Sequence, residues 1–140
     1  MSNDTTQQGV LFKDLLDKPL HASFDQSDSS SDGGAILLKA ADARLGLSES
    51  LAACLRDKRE PEKVVHSMHD LLRQRVYGFA CGYEDCNDAA RLMNDPIHRL
   101  LLDRDPAQGD ELASQPTLSR FENSIDVRSL DRLGVALAES

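Results

Sequence analysis

The stretch from Pro61 to Gly82 constrains the fold more than any other part of this 140-residue chain. Val64, Val65, Met68, Leu71, Leu72, Val76, Phe79 and Ala80 recur at three- and four-residue steps. That spacing lines side chains along one face of an α-helix. Pro61 suits a first helical turn, where its missing N–H costs nothing. The spacing predicts one long helix from Pro61 to about Gly82, with His66, Asp70, Arg73 and Tyr77 on the face opposite the apolar one. Arg75 falls between Met68 and Leu71, on the apolar face. A guanidinium buried there needs a partner, because breaking a buried ion pair costs about 3–5 kcal/mol. Glu84, Asp85 and Asp88 are the nearby acids. The competing reading is an Arg75 that snorkels to the helix edge.

Other segments repeat the helical pattern. In ILLKAADARLG, Ile36, Leu37, Ala40, Ala41 and Leu45 are helically spaced, Asp32 is an N-cap candidate and Gly46 a stop. Ser48 reads as the cap of a second short helix through Leu51, Ala52 and Leu55. Further helices are expected through Ala89–Met93, ending before Pro96, over Ile97–Leu102, and through Val127, Leu130, Leu133, Val135 and Leu137. No strand-like alternation exceeds four residues, and there is no internal repeat. The expected fold is all-α: a small helical domain of about six helices over residues 32–140. Residues 1–31, with the run SDSSSDGG, are too polar to be held by a core and are expected to form a flexible segment. Within them Val10–Leu16 suggests a short helix and His21–Phe24 an extended piece.

The chain carries a formal net charge of -8, unevenly spread. Residues 36–79 hold eight basic and six acidic residues, and this is the one net-positive block. The total argues against tight non-specific binding of nucleic acid, but local clusters decide phosphate contact. No apolar run is long enough to span a membrane. MSNDTTQQGV lacks the pattern of a signal peptide, and three cysteines in such a chain fit a reducing cytoplasm.

One segment suggests a site. In SQPTLSRFEN, Ser114 is placed as an N-cap and Pro116 in the first turn, with Leu118, Phe121 and Ile125 facing inward. Gln115, Thr117, Ser119 and Arg120 are left on or near the outer face. Recognition helices of helix-turn-helix modules present such groups to base edges. The competing reading is a capped packing helix, because DPAQGDELA gives little room for a preceding helix. RDKREPEK, Arg56 to Lys63, has four basic and three acidic residues: a weak phosphate patch or a solvated loop. His66 and His69 lack further ligands at metal spacing, and Cys81 and Cys86 are not a CxxC pair. Glu84, Asp85 and Asp88 could chelate Mg²⁺, or else pair with arginines or cap the next helix. No Ser/His/Asp arrangement, Cys/His arrangement or phosphate loop is legible.

SSSDGGAILLKAADARLGL, LRQRVYGFACGYEDCNDAARLMNDPIHRLLL and LASQPTLSRFENSI, in that order, resemble the N-terminal region of bacterial insertion-sequence transposases of the DDE type, specifically the insertion-sequence thirteen-eighty family. The resemblance runs from about Asp28 to Leu137. It implies a helical region ahead of an RNase H-like domain whose Asp, Asp and Glu hold two divalent metals, Mg²⁺ being the implied cofactor. In that family the first catalytic Asp lies beyond the region matching LASQPTLSRFENS. The resemblance therefore carries no catalytic residue, no metal ligand and no cofactor onto this chain.

The expected role is the DNA-binding or assembly portion of a DDE transposase. Its partners would be transposon-end DNA, a missing catalytic domain or further copies of itself, and no membrane. Gln115, Thr117, Ser119 and Arg120 are the expected DNA contacts, with Arg73 and Lys58 assisting at phosphates. The alternative is an assembly module that packs on a catalytic domain or partner subunit without touching DNA.

Overall fold

The computed structural model describes residue 15 and residues 29–140. Apart from Leu15, the short helix expected over Val10–Leu16 and the extended piece at His21–Phe24 lie outside these residues, as does nearly all of the segment expected to be flexible. Among the described residues seven α-helices follow in order: α1 (Ile36–Leu45), α2 (Leu47–Ala53), α3 (Met68–Ala80), α4 (Ala89–Leu92), α5 (Pro96–Leu101), α6 (Gln115–Ser124) and α7 (Val127–Glu139). Single 3-10 turns stand at Gly33–Ala35, Pro61–Lys63 and Cys86–Asp88. No strand occurs among the described residues, so the all-α expectation holds.

The central helix is shorter than its apolar spacing predicts. Pro61–Lys63 closes one 3-10 turn, and Val64 returns to extended backbone. The helix starts after Ser67, whose Oγ accepts the Asp70 N–H at 3.0 Å. A side chain that satisfies an orphan N–H sets a helix start locally. Val65, expected on the apolar face, is 83% exposed. The far end follows expectation. Gly82 takes the left-handed conformation (φ 91°), its N–H reaches Phe79 O, and the Tyr83 N–H reaches Gly78 O. This double closure satisfies the last carbonyls and favours a residue without Cβ.

α3 packs against α2, α5 and α6 and contributes to both apolar clusters. Leu71 and Leu72 join Leu51, Ala89, Ala113, Leu118 and Phe121 in one. Tyr77 joins Ala35, Leu101, Leu102 and Leu112 in the other. The face opposite the apolar one is therefore also covered. Tyr77 is buried and donates its O–H to Asp42 at 2.9 Å. α1 turns a different face inward than its pattern suggests: Leu37 and Leu45 are exposed and Lys39 is buried. Lys39 donates to Leu100 O at 2.8 Å and to Asp103 at 2.5 Å, so α5 and the loop after it supply acceptors where an apolar contact was expected.

Two expected caps are used otherwise. Gly46 (φ 63°) stops α1 and leads directly into α2. Ser48 is thus inside α2, and both its N–H and its O–H donate to Asp42. Asp32 precedes the Gly33–Ala35 turn without capping it by its side chain. Its carboxylate turns to Tyr83 and His98.

These carboxylates link stability to pH. Burial pushes Asp42 up, but hydrogen bonds from Ser48 and Tyr77 outweigh it and hold the carboxyl below its ordinary value near 3.8. For Asp103 burial is likewise outweighed, by Lys39 and Arg73. A depressed folded-state pKa contributes stability that is present above the unfolded value and lost as pH falls through the folded one. Urea unfolding is expected to show the Asp42 contribution in full above about pH 4 and to lose it as pH falls below that value, a decline that Asp42→Asn weakens. A profile unchanged in Asp42→Asn would remove this carboxyl from the account.

Candidate nucleic-acid interface

α6 begins where its sequence places it. Ser114 is the N-cap, although its Oγ meets Thr117 Oγ1 at 3.1 Å and makes no bond to a backbone N–H. Leu118 and Phe121 are buried and Ile125 packs beside them, as the spacing predicts. The segment entering α6 is clamped by a buried amide. Gln74 Oε1 accepts the Ala113 N–H at 3.0 Å, and Gln74 Nε2 donates to Ala113 O at 2.9 Å. Both main-chain groups are thereby satisfied, which holds α6 in register with α3.

The helix is set between two unlike surroundings. On one edge, Gln115 and Ser119 line a shallow depression with Arg75, Glu84, Asp85 and Glu122. On the other, Thr117 and Arg120 line a groove of about 510 Å³ whose opposite wall is the Arg56–Lys63 run. Arg56, Lys58, Arg59, Lys63 and Arg120 contribute five cations there against one acid, Asp57. Met68, Leu71 and Phe121 supply apolar surface. The chain's negative total thus coexists with a locally positive groove.

The cations differ in freedom. Arg59 is held by Asp57 at 2.7 Å and by the His66 carbonyl. Lys63 pairs with Glu60 at 2.6 Å, and exposed Lys58 sits 3.6 Å from Asp126. Arg56 and Arg120 make no ion pair among the described residues. Exposed pairs contribute about 0–1 kcal/mol, so an arriving phosphate competes with them readily. His66 also lines the groove. Burial and the neighbouring Arg104 push its pKa down, and its Nδ1 lies 3.1 Å from Arg104, the position of an acceptor.

The six expected DNA contacts therefore separate. Lys58, Thr117 and Arg120 share the basic groove, while Gln115 and Ser119 face the acidic edge. Arg73 lies apart, its guanidinium held by Asp70 at 2.8 Å and Asp103 at 2.7 Å. Helical spacing gives the outer face of α6, but only the fold shows which edge meets the basic run. The sequence signal for Arg56, Arg59 and Lys63 was the run itself.

Other clusters resolve as structure. Ser48 Oγ lies 2.8 Å from His69 Nε2, in a group that includes Asp42. The hydroxyl donates its proton to Asp42, so the imidazole donates to Ser48 and does not act as its base. A triad needs the histidine between the other two. Asp85 caps the Cys86–Asp88 turn through Asn87. Arg75 neither snorkels nor pairs with the Glu84, Asp85 or Asp88 side chains; Glu122 is its acid, and Glu84 contributes its carbonyl oxygen. The Cys86 thiol is pushed up by burial and by Glu122, which accepts from it.

Among the described residues, one group of three donors of the His, Cys, Asp or Glu type lies together: Asp32, Cys81 and His98. It offers one carboxylate, a thiol and an imidazole. A hard cation such as Mg²⁺ takes oxygen ligands, so this set does not fit it.

The family described as transposase DDE domain group 1 matches residues 12–140. No curated protein matches the chain, and no solved structure does.

Proposed function

The chain belongs to the DDE transposase family, group 1, and from that premise we propose that it serves DNA transposition by binding the ends of the mobile element. The observation that carries this reading is the basic groove between α6 and the Arg56–Lys63 run. Arg120 and Thr117 approach base edges from α6, while Arg56 and Lys58 meet phosphates across the groove. Phosphate contacts position a protein and base contacts specify, so the two walls have separate tasks. DNA enters from the basic edge, because Glu84, Asp85 and Glu122 repel phosphate on the other. Gln115 and Ser119 then contribute less than Arg120. Arg73 contributes through the fold, by tying α3 to the loop at Asp103.

We read the chain as the helical region of an insertion-sequence thirteen-eighty type enzyme, and strand cutting as the task of carboxylates other than those described here. Asp103 pairs with Lys39 and Arg73, Glu122 pairs with Arg75, and Asp85 and Asp95 cap helical turns. These pairings and caps support reading them as structural groups.

An electrophoretic shift with terminal inverted-repeat DNA tests it. Binding is expected to weaken steeply with salt, with a log–log slope of about −0.9 per phosphate contact. Lys58→Ala is expected to flatten that slope by about one contact without changing sequence preference. Arg120→Ala is expected to cost about 1–3 kcal/mol and to relax discrimination between end sequences. No shift at any salt defeats the proposal.

One observation favours a second reading, an assembly role. Val127, Leu130 and Leu137 on α7 are exposed large apolar residues, and such stripes mark interaction surfaces. A chain that binds no DNA but self-associates, and becomes monomeric in Leu130→Glu, would support that reading instead.

A further inference from the structure

We propose that Asp32, Cys81 and His98 form a binding site for a borderline divalent transition cation of the Zn²⁺ type, separate from the DNA groove. Three parts of the fold bring the donors together. Asp32 precedes the Gly33–Ala35 turn, Cys81 is the C-cap of α3, and His98 lies on α5. One ligand atom from each lies within 4.8 Å of the other two. Zn–S bonds of about 2.3 Å and Zn–N or Zn–O bonds of about 2.0–2.2 Å at tetrahedral angles need ligand atoms roughly 3.3–3.7 Å apart, inside the 4.8 Å within which the three donors lie. A thiolate, an imidazole and a carboxylate are the donors such a cation prefers, and Mg²⁺ does not.

The surroundings suit a held ligand set. His98 is 1% exposed, and the Tyr83 ring packs edge-on against its imidazole at 5.8 Å between centroids. Its Nε2 stands 2.9 Å from Asp32 Oδ2. Tyr83 donates its O–H to the same oxygen at 2.8 Å, the kind of outer contact that orients a ligating carboxylate. Asp32 and Cys81 are only half-buried, so the site is reached from solvent on their side and a water takes the fourth position. The Asp32–His98 hydrogen bond explains those two residues without metal, but it gives no account of a thiol converging on the same point. On binding, Cys81 Sγ gives its proton to solvent, the proton between His98 Nε2 and Asp32 passes through solvent to Nδ1, and the dication takes its place.

The test uses the full chain, stripped with chelator under reducing conditions and titrated with Co²⁺ and then Zn²⁺. One Co²⁺ per chain is expected, with intense visible bands of a four-coordinate ion and a thiolate charge-transfer band in the near ultraviolet, all displaced by Zn²⁺. Cys81→Ser is expected to abolish the charge-transfer band, while Cys54→Ser and Cys86→Ser retain it. His98→Asn is expected to weaken Co²⁺ binding at least about 10-fold. Should Cys81→Ser fail to fold, alkylation of the wild-type chain followed by mass spectrometry gives a second readout: Zn²⁺ protects Cys81 and leaves Cys54 reactive. No thiolate band in the wild type, a band that survives in Cys81→Ser, or no protection of Cys81 would overturn the site. None of these readouts depends on DNA binding.

Discussion

Truncating Leu118 to alanine is expected to lower the free energy of unfolding by about 3–4 kcal/mol, within the range of about 2–5 for a leucine removed from a tight core. Leu118 is 2% exposed and packs with Leu51, Leu71, Leu72 and Phe121. It holds α6 on α3, and the walls of the basic groove depend on that seating. A domain of this size has about 5–15 kcal/mol in all, so the loss is a large share of it. Leu130→Ala is the control. Leu130 follows the same helical spacing on α7 but is 55% exposed, and its truncation is expected to stay within about 0.5 kcal/mol. Chemical denaturation followed by circular dichroism measures both. Equal costs at the two positions would contradict the packing described for α6.

Glu122→Ala is expected to cost about 3 kcal/mol, at the low end of the range for a broken buried pair. Arg75 Nε meets Glu122 Oε1 at 2.5 Å, Arg75 Nη2 donates to Glu84 O at 2.9 Å, and the guanidinium lies 4.3 Å from the Phe79 ring centroid. The arginine side chain is 8% exposed and the glutamate 41%. Removing the acid strands the buried partner, whereas solvent at the glutamate end keeps the cost from reaching the top of the range. Arg75→Met combined with Glu122→Ala is expected to recover most of the loss, because no buried charge is then left unpaired. Denaturation of the single and double variants closes the cycle. A double variant as unstable as the sum of the two singles would mean that the residues act independently.

Both predictions show how far the residues alone reach. The spacing of Leu118, Phe121 and Ile125 located α6 and its inward face, because helical geometry is set within two turns of chain. The requirement that Arg75 find a partner was also legible, since it follows from burial alone. The partner was not: the acids near in sequence were the wrong ones, and Glu122 comes from another helix. The long helix expected from Pro61 failed for a local reason. Val64 and Val65 extend the apolar spacing, but Ser67 offers an N-cap and the backbone before it is extended. For Tyr77 and Arg73 the reason is tertiary. A helix packed on several sides has no free polar face, and amphipathic spacing reports only its strongest side.

The candidate sites divide in the same way. The Arg56–Lys63 run and the outer residues of α6 were each visible, but nothing in their spacing showed that Thr117 and Arg120 would meet the run while Gln115 and Ser119 would turn to Glu84 and Asp85. Asp32, Cys81 and His98 carry no local signal as a group, because three 3-10 turns and four helices separate the first from the last.

By itself the sequence determined the helical class, most helix ends and the likeness to a transposase, since periodicity, caps and ordered strings act over a few residues at a time. Only the tertiary structure decided which charges are paired, which apolar stripe stays open and which distant donors converge. Ion pairs, hydrogen bonds and metal ligation act over a few ångströms in space, and the path of the chain alone sets which residues come that close.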